Sequence, residues 1–425
     1  MKAQEKLNRV QYFILQNPVG LYLMALLIPL NPKLLSYGIA LILLETLIRR
    51  KNVSIQNFKV NLNFKNPGIW LVVFYLFHLL GLFYSENMKF GTMDIGMKAS
   101  LVIFPLLFLF YKPEIYWKLW IKFFVFGAIL SIIYNLYFSF AAYQTTARFD
   151  EFLGVRLSHL MHRGYWATYL TIALFFVLKM MMQTKSLRKL TELVLIAMLF
   201  AVLIVISESR MGLIILFILI VWGVFQILRK MSKKNSILVL TLVIVSGIVM
   251  VFSVSNSRLS DRLSETLDAV SISFEDLDKE SEESTTLRLF TWYSSAQLIK
   301  ENFWFGVGTG DIKDKLNKRN EDNGFVQAAQ QELNSHNQFF NSHIALGLFG
   351  PLSLLMVFIT SCLKTKGKEG ITSWIRGVIF ILFLSFLTES FLEVQAGIIP
   401  FAFMLCLFYS MELKSVFTDS ETLET

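Results

Sequence analysis

The sequence is thin in the groups that a soluble enzyme of its size uses. Of 425 residues only 17% are charged, against about 25% in soluble domains. There are five histidines and two cysteines. Cys362 and Cys406 lie within or beside apolar runs, which excludes a disulfide framework even for a large loop in an oxidising compartment. No cysteine or carboxylate cluster has zinc-site spacing, and there is no internal repeat or low-complexity tract. A cleavable leader is not expected either. The first apolar run follows Lys2, Lys6 and Arg9 but has no small-x-small cleavage site, and more apolar runs follow, so it reads as a retained helix.

What the sequence has is hydrophobicity in blocks. Hydrophobic residues make up 55% and aromatics 15%. The apolar runs of about 17–22 residues suit helices crossing ~30 Å of hydrocarbon. A barrel would need alternating segments of about ten residues, and these runs are continuous. The expected fold is all-α, a polytopic membrane protein with about 12 transmembrane helices and one large helical periplasmic loop. The spans are read at 12–30, 34–48, 68–84, 92–111, 116–142, 163–182, 190–207, 210–228, 236–253, 337–361, 374–390 and 396–412. They divide the chain into 1–253 (spans one to nine), 254–336 (the loop) and 337–425 (spans ten to twelve and a tail).

The net charge of +9 is not a nucleic-acid signal, because of where the cations sit. Of the 40 lysines and arginines, 24 fall near both termini and on alternate gaps, such as Arg49–Lys51, Arg229–Lys234 and Lys364–Lys368. The positive-inside rule makes that side, with both termini, cytoplasmic. The gap from 254 to 335 then lies outside, carrying 9 basic and 15 acidic residues. Long loops translocate largely regardless of charge.

Inside this loop, Leu259, Leu263, Leu267 and Val270 recur at helical spacing. An acidic stretch, Phe274–Ser284, reads as a solvated linker. Ser284 or Thr285 is expected to cap a second helix with Leu287, Phe290, Tyr293 and Ala296 on one face. The Gly306–Gly310 run (GVGTG) has no strand–helix unit around it and reads as a flexible turn. Asp276-Leu277-Asp278 resembles a metal-binding DxD, but its acidic surroundings favour the linker.

Ionisable groups are nearly absent from mid-span positions and collect at the outer ends of the spans. They are Arg148, Arg156, His159, His162 and Arg163; Glu208 and Arg210; Arg288; His336; and Glu389 and Glu393. Lys98, in the fourth span, reads equally as a snorkelling or a functional cation. Arg210 sits in a turn too short to leave the membrane surface, and its planar fork suits either phosphate oxygens or Glu208 and lipid headgroups. Arg288 alone reads as a solvated charge. His336 suits general-base work or a bond to a loop carbonyl. His343, about 10.5 Å further along a helix, cannot share a metal with it. His159 and His162 would be needed for that, and no metal is expected.

Taken together, Ser207–Gly212 (SESRMG), Thr286–Trp292 (TLRLFTW), Phe303–Gly310 (FWFGVGTG), Ser335–Phe340 (SHNQFF) and Gly347–Gly350 resemble the bacterial O-antigen ligase and polymerase superfamily. Met161–Tyr165 (MHRGY) and Tyr84–Asn87 are similar to it more loosely. The resemblance implies a bacterial inner-membrane glycosyltransferase, metal-independent and inverting, without a cofactor. Its donor would be a glycan on undecaprenyl pyrophosphate and its acceptor lipid A-core or another glycan. It implies that Arg210 and Arg288 hold the pyrophosphate and that His336 deprotonates the acceptor. Asn337, Trp292, His162 and Arg163 would support them. A ligase is favoured over a repeat-unit polymerase. A protein O-oligosaccharyltransferase is less favoured, because the chain ends soon after the last span. A secondary transporter would need paired repeats and midplane charges.

Overall fold

A computed structural model describes residues 18–48, 55–229, 278–363 and 371–413. The span expected at 236–253, the helix expected at 257–270 and residues 274–277 of the acidic linker, with Asp276, lie outside the described residues. Within them the fold is all-α. The strands are a two-residue parallel pair, Glu114–Ile115 with Glu412–Leu413, tying the start of one long helix to the end of the last one.

Four described helices are long and apolar enough to cross a membrane: Met88–Phe110, Trp117–Thr146, Arg163–Gln183 and Leu187–Ile206. Shorter apolar helices include Val19–Leu30, Pro67–Leu82, Phe349–Leu363, Thr372–Phe386 and Gln395–Ser410. Two expected spans are broken. Residues 92–111 fall on helices Met88–Met97 and Ser100–Phe110, which meet at Lys98 and Ala99. Residues 337–361 fall on Gln338–Leu346 and Phe349–Leu363, separated at Gly347.

Hydropathy alone does not rank these helices by depth, because a helix apolar all round suits either a core or a lipid face. The packing does. Residues 164–177 of the Arg163 helix and all of Gln395–Ser410 except Gln395 are buried. Leu187–Ile206 buries only Phe200, Leu203 and Ile204. An aromatic cluster knits the centre: Trp117 stacks on Trp120 at 5.3 Å, and Phe176 and Phe408 meet both edge-on. Such pairs add to plain area burial.

The described part of the loop has a small core of its own. Phe290 stacks on Phe325 at 4.1 Å, beside Leu287 and Ala328. The buried face of helix Ser284–Glu301 is Leu287, Phe290, Thr291, Ser294, Ser295 and Leu298, while Tyr293 and Ala296 point outward. The expected face ran at intervals of three, which drifts around a 3.6-residue helix. Small serines occupy the inner face because Ser294 accepts a hydrogen bond from Asn323 of the adjoining loop.

The glycine run is a seam. Val307 and Gly308 donate backbone hydrogen bonds to Ile344 and Ala345, Gly310 donates to Ser85 Oγ, and the Asp311 carboxylate accepts from the amides of Glu86 and Asn87. Gly308 has φ +102°, and a Cβ there would meet Ser85 Oγ at 2.6 Å. Both the left-handed backbone and the close approach require glycine. This sutures the loop to the Tyr84–Asn87 turn and leaves no phosphate loop in this segment.

Candidate active site

The Ser207–Gly212 turn reverses the chain without moving away from the helix ends. Ser207 Oγ accepts from the Ser209 amide, Glu208 takes φ +52°, and Ser209 Oγ accepts from the Gly212 amide. Two hydroxyls thus satisfy backbone groups on either side of the turn. Arg210 becomes the first residue of helix Arg210–Leu228. A left-handed non-glycine residue costs of order 1–3 kcal/mol and persists only where its surroundings hold it. Here the Glu208 carboxylate lies 3.6 Å from Arg163.

Arg210 meets the loop helix through its cap. Arg210 Nη2 is 3.3 Å from Glu283 Oε1. Glu283, rather than Ser284 or Thr285, is the N-cap of Ser284–Glu301, accepting from the Thr285 and Thr286 amides at 2.8 and 2.7 Å. Burial would raise the Glu283 pKa, but the hydrogen bonds from Thr285 and Thr286 outweigh it, and the group lies below the usual carboxylate range. One turn on, Arg288 Nη2 donates to Glu389 Oε1 at 3.1 Å.

His336 enters from the other end of the loop. Its φ is +44°, and its amide donates to Asn334 Oδ1, which also accepts from Ser390 Oγ. Asn337 caps helix Gln338–Leu346, accepting from the Phe339 and Phe340 amides, and donates to the Leu387 carbonyl. It fixes the backbone around His336 and ties it to the segment carrying Glu389. His336 Nδ1 is buried without a hydrogen-bond partner, 3.7 Å from Glu389 Oε2. That is an ion-pair separation, longer than a hydrogen bond. Trp292 packs edge-on against Phe340 at 6.4 Å, bracing the loop helix against the helix that follows His336.

His162 caps helix Arg163–Gln183, its Nδ1 accepting from the Gly164 amide. Burial lowers its pKa, against the pull of Glu389. Gly164 gives Glu389 room, since a Cβ there would meet Glu389 Oε1 at 3.0 Å. Burial also pushes Glu389 toward the neutral acid, but His336, Arg288 and His162 outweigh it, and its pKa is lowered.

These groups line one cavity of about 240 Å³, with His162, Arg163, Glu208, Arg210, Glu282, Arg288, His336 and Glu389 on its wall. Three arginines and two imidazoles from four segments thus face one space. His159 and His343 are elsewhere: His159 pairs with Ser139, and His343 with the Phe303 carbonyl. The three carboxylates paired to the arginines were absent from the expected site residues. A signal existed for Glu389, which lies with Glu393 just beyond a span end. Glu283 carried no distinctive signal, being one of several acids in its run.

A second polar cluster lies inside the bundle. Lys98 is fully buried between Asp94 at 2.5 Å and Glu393 at 2.8 Å, so it does not snorkel. Gln338 binds Glu393 and the Leu392 amide, and His78 Nδ1 is 3.3 Å from Thr309 Oγ1 and 3.9 Å from Asp94. Interior ionisable groups are therefore more numerous than the span pattern suggested.

The family model for the O-antigen ligase matches residues 193–359. The match covers 167 of the 425 residues and supports membership of the O-antigen ligase superfamily. The matched stretch contains Arg210, Arg288 and His336, while His162, Arg163 and Glu389 lie outside it. No curated protein matches the chain. The family match and the apolar helices together support a membrane glycosyltransferase of the ligase or polymerase type.

Proposed function

We propose that this superfamily member is an O-antigen ligase acting at the outer face of the bacterial inner membrane. It transfers a glycan from undecaprenyl pyrophosphate to lipid A-core or a similar acceptor. The bundle has 12 spans with both termini cytoplasmic, in three parts at 1–253, 254–336 and 337–425. The observation that carries this reading is the convergence of Arg163, Arg210, Arg288 and His336 on one cavity.

The acceptor hydroxyl oxygen attacks the anomeric carbon of the donor. The bond from that carbon to the phosphate oxygen breaks, its electron pair leaves with the lipid pyrophosphate, and the configuration inverts. The hydroxyl proton goes to His336. Charge builds on the leaving pyrophosphate, and fixed guanidinium groups stabilise charge where it develops. Each arginine in the cavity already holds a carboxylate. Pyrophosphate oxygens are the same kind of ligand, so donor binding exchanges one anion for another and spares the guanidiniums a desolvated, unpaired state. Glu389 is a positioning residue. Across the 3.7 Å between them, Glu389 Oε2 favours the tautomer of His336 with the proton on Nδ1, which leaves Nε2 as the proton acceptor, while its other oxygen aims Arg288.

The test uses the full-length protein in proteoliposomes with a lipid-linked donor and lipid A-core. His336→Ala should lower transfer by roughly 10²–10⁴-fold with an unchanged unfolding temperature. Full activity of that variant refutes the general-base assignment. In cells, deletion should leave uncapped core with accumulated lipid-linked polymer; core capped by one repeat unit would mean a polymerase instead. Glycan on protein or ion-coupled uptake in vesicles would favour an oligosaccharyltransferase or a transporter.

A further inference from the structure

We propose a second binding site, for the phosphate headgroup of an anionic membrane phospholipid, at the opposite end of the bundle from the active-site cavity. The helices Arg163–Gln183, Arg210–Leu228 and Thr372–Phe386 run from the region of Arg163, Arg210 and Glu389 to this second place. There they enclose a cavity of about 540 Å³. Lys179 lies roughly 24 Å along its helix from Arg163, at 1.5 Å per residue. The two sites therefore stand about one hydrocarbon thickness apart.

Two kinds of contact preorganise the cation. Lys179 Nζ donates to Ser373 Oγ at 2.8 Å, and it lies 5.8 Å from the Trp222 ring centroid and 5.6 Å from that of Trp374. An ammonium held between two indoles has little conformational freedom to lose. Arg376 lines the same cavity. Trp374 also lines a neighbouring cavity of about 380 Å³ that carries Lys118, Lys122 and Lys189. Five cations thus flank one tryptophan, with Glu192 the acidic side chain on these walls.

The cations select an anion, and the walls select an amphiphile. Below the charged rim the larger cavity is lined by Phe175, Leu219, Phe380 and Ile381. Phe380 on this wall is 49% exposed, so the apolar lining opens outward between the helices. A free phosphate would satisfy Lys179 and Arg376 and leave that apolar wall uncovered. A zwitterionic lipid would bring its own ammonium against them. An anionic phospholipid satisfies both parts, with its phosphate at the cations and an acyl chain along Phe380. Basic pockets between spans on the cytoplasmic side recognise such headgroups, and the positive-inside reading puts this end there. The site does not depend on which glycan the other cavity transfers.

The test is native mass spectrometry of the delipidated full-length protein, titrated with phosphatidylglycerol, chain-matched phosphatidylcholine or inorganic phosphate. Phosphatidylglycerol should stay bound where phosphatidylcholine does not, and inorganic phosphate should neither bind nor compete. Lys179→Ala and Arg376→Gln should each weaken phosphatidylglycerol binding about fivefold, the worth of one interfacial cation, and Lys179→Arg should retain it. Arg376 is an exposed side chain, so Arg376→Gln carries the test if Lys179→Ala does not fold. Equal binding of the two lipids, undiminished binding to Arg376→Gln, or competition by inorganic phosphate would overturn the proposal, the last in favour of a soluble-anion site.

Discussion

Glu389 and Glu393 are four residues apart on one short segment, and they serve opposite kinds of charge cluster. Glu389 opens onto the cavity, among arginines whose side chains are 18–27% exposed. Glu393, itself 18% exposed, reaches in to Lys98, which with Asp94 is 0–1% exposed. In the cavity a pair can part and each member find water or an incoming anion. Within the bundle Lys98 and Asp94, once parted, find no water, and the cost of an uncompensated buried charge is several kcal/mol. The comparison separates ion pairs that can be exchanged during turnover from ion pairs that hold the scaffold. The 387–394 segment is pinned by both, so the scaffold pair also sets where Glu389 stands.

The sharpest way to break this distinction is to remove one cation from each cluster. Lys98→Met should cost about 3–5 kcal/mol of stability by stranding Asp94 and Glu393, seen as lost accumulation or a much lower unfolding temperature. Arg288→Ala should instead leave the unfolding temperature near wild type while transfer falls roughly 10²–10³-fold. If Lys98→Met folds normally and only activity falls, the inner cluster is not a scaffold. A somewhat smaller effect is expected at Glu389. Glu389→Gln should lower kcat by about tenfold, short of the roughly 10²–10⁴-fold of losing the base itself, with KM for the donor little changed. Glu389→Asp should recover part of it. A change confined to KM would mean that Glu389 acts only on Arg288.

Gly308→Ala should be milder, about 1–3 kcal/mol from a strained backbone, and should weaken the seam to Ser85. Its check is earlier proteolysis of the loop with the bundle intact. The smallest effect concerns pH. Glu283 and Glu389 have lowered pKa values, so their contribution is fully present above the ordinary carboxylate range and is lost as pH falls through their depressed values. His162 is held neutral, its pKa lowered mainly by burial, so its contribution is present above about 6.5 and declines below it. Unfolding temperature in detergent should therefore fall on acidification, and Glu389→Gln should flatten the lower part of that curve.

Much of this was legible before any coordinates. Apolar runs marked the helices because a membrane span must satisfy its own backbone. Arg210, Arg288 and His336 were recognisable because the motifs that carry them, taken in order, resemble those of a known family. The carboxylate partners were less legible, since Glu283 looks like any residue of an acidic run until the helix it caps is seen. Lys98 reads two ways in the sequence because snorkelling and a buried ion pair begin from the same residue at the same depth, and only the neighbours differ.

The sequence by itself determined the apolar helices of a membrane protein, which residues are cationic at the span ends, and which family it resembles. Those properties are local: hydropathy, spacing and motif order are carried by neighbours along the chain. Tertiary structure alone decided that Arg163, Arg210, Arg288, His336 and Glu389 face one cavity, that the glycine run is a suture, and that Lys98 is enclosed. Each of these joins segments dozens to hundreds of residues apart, and helix packing sets those meetings where no periodicity records them.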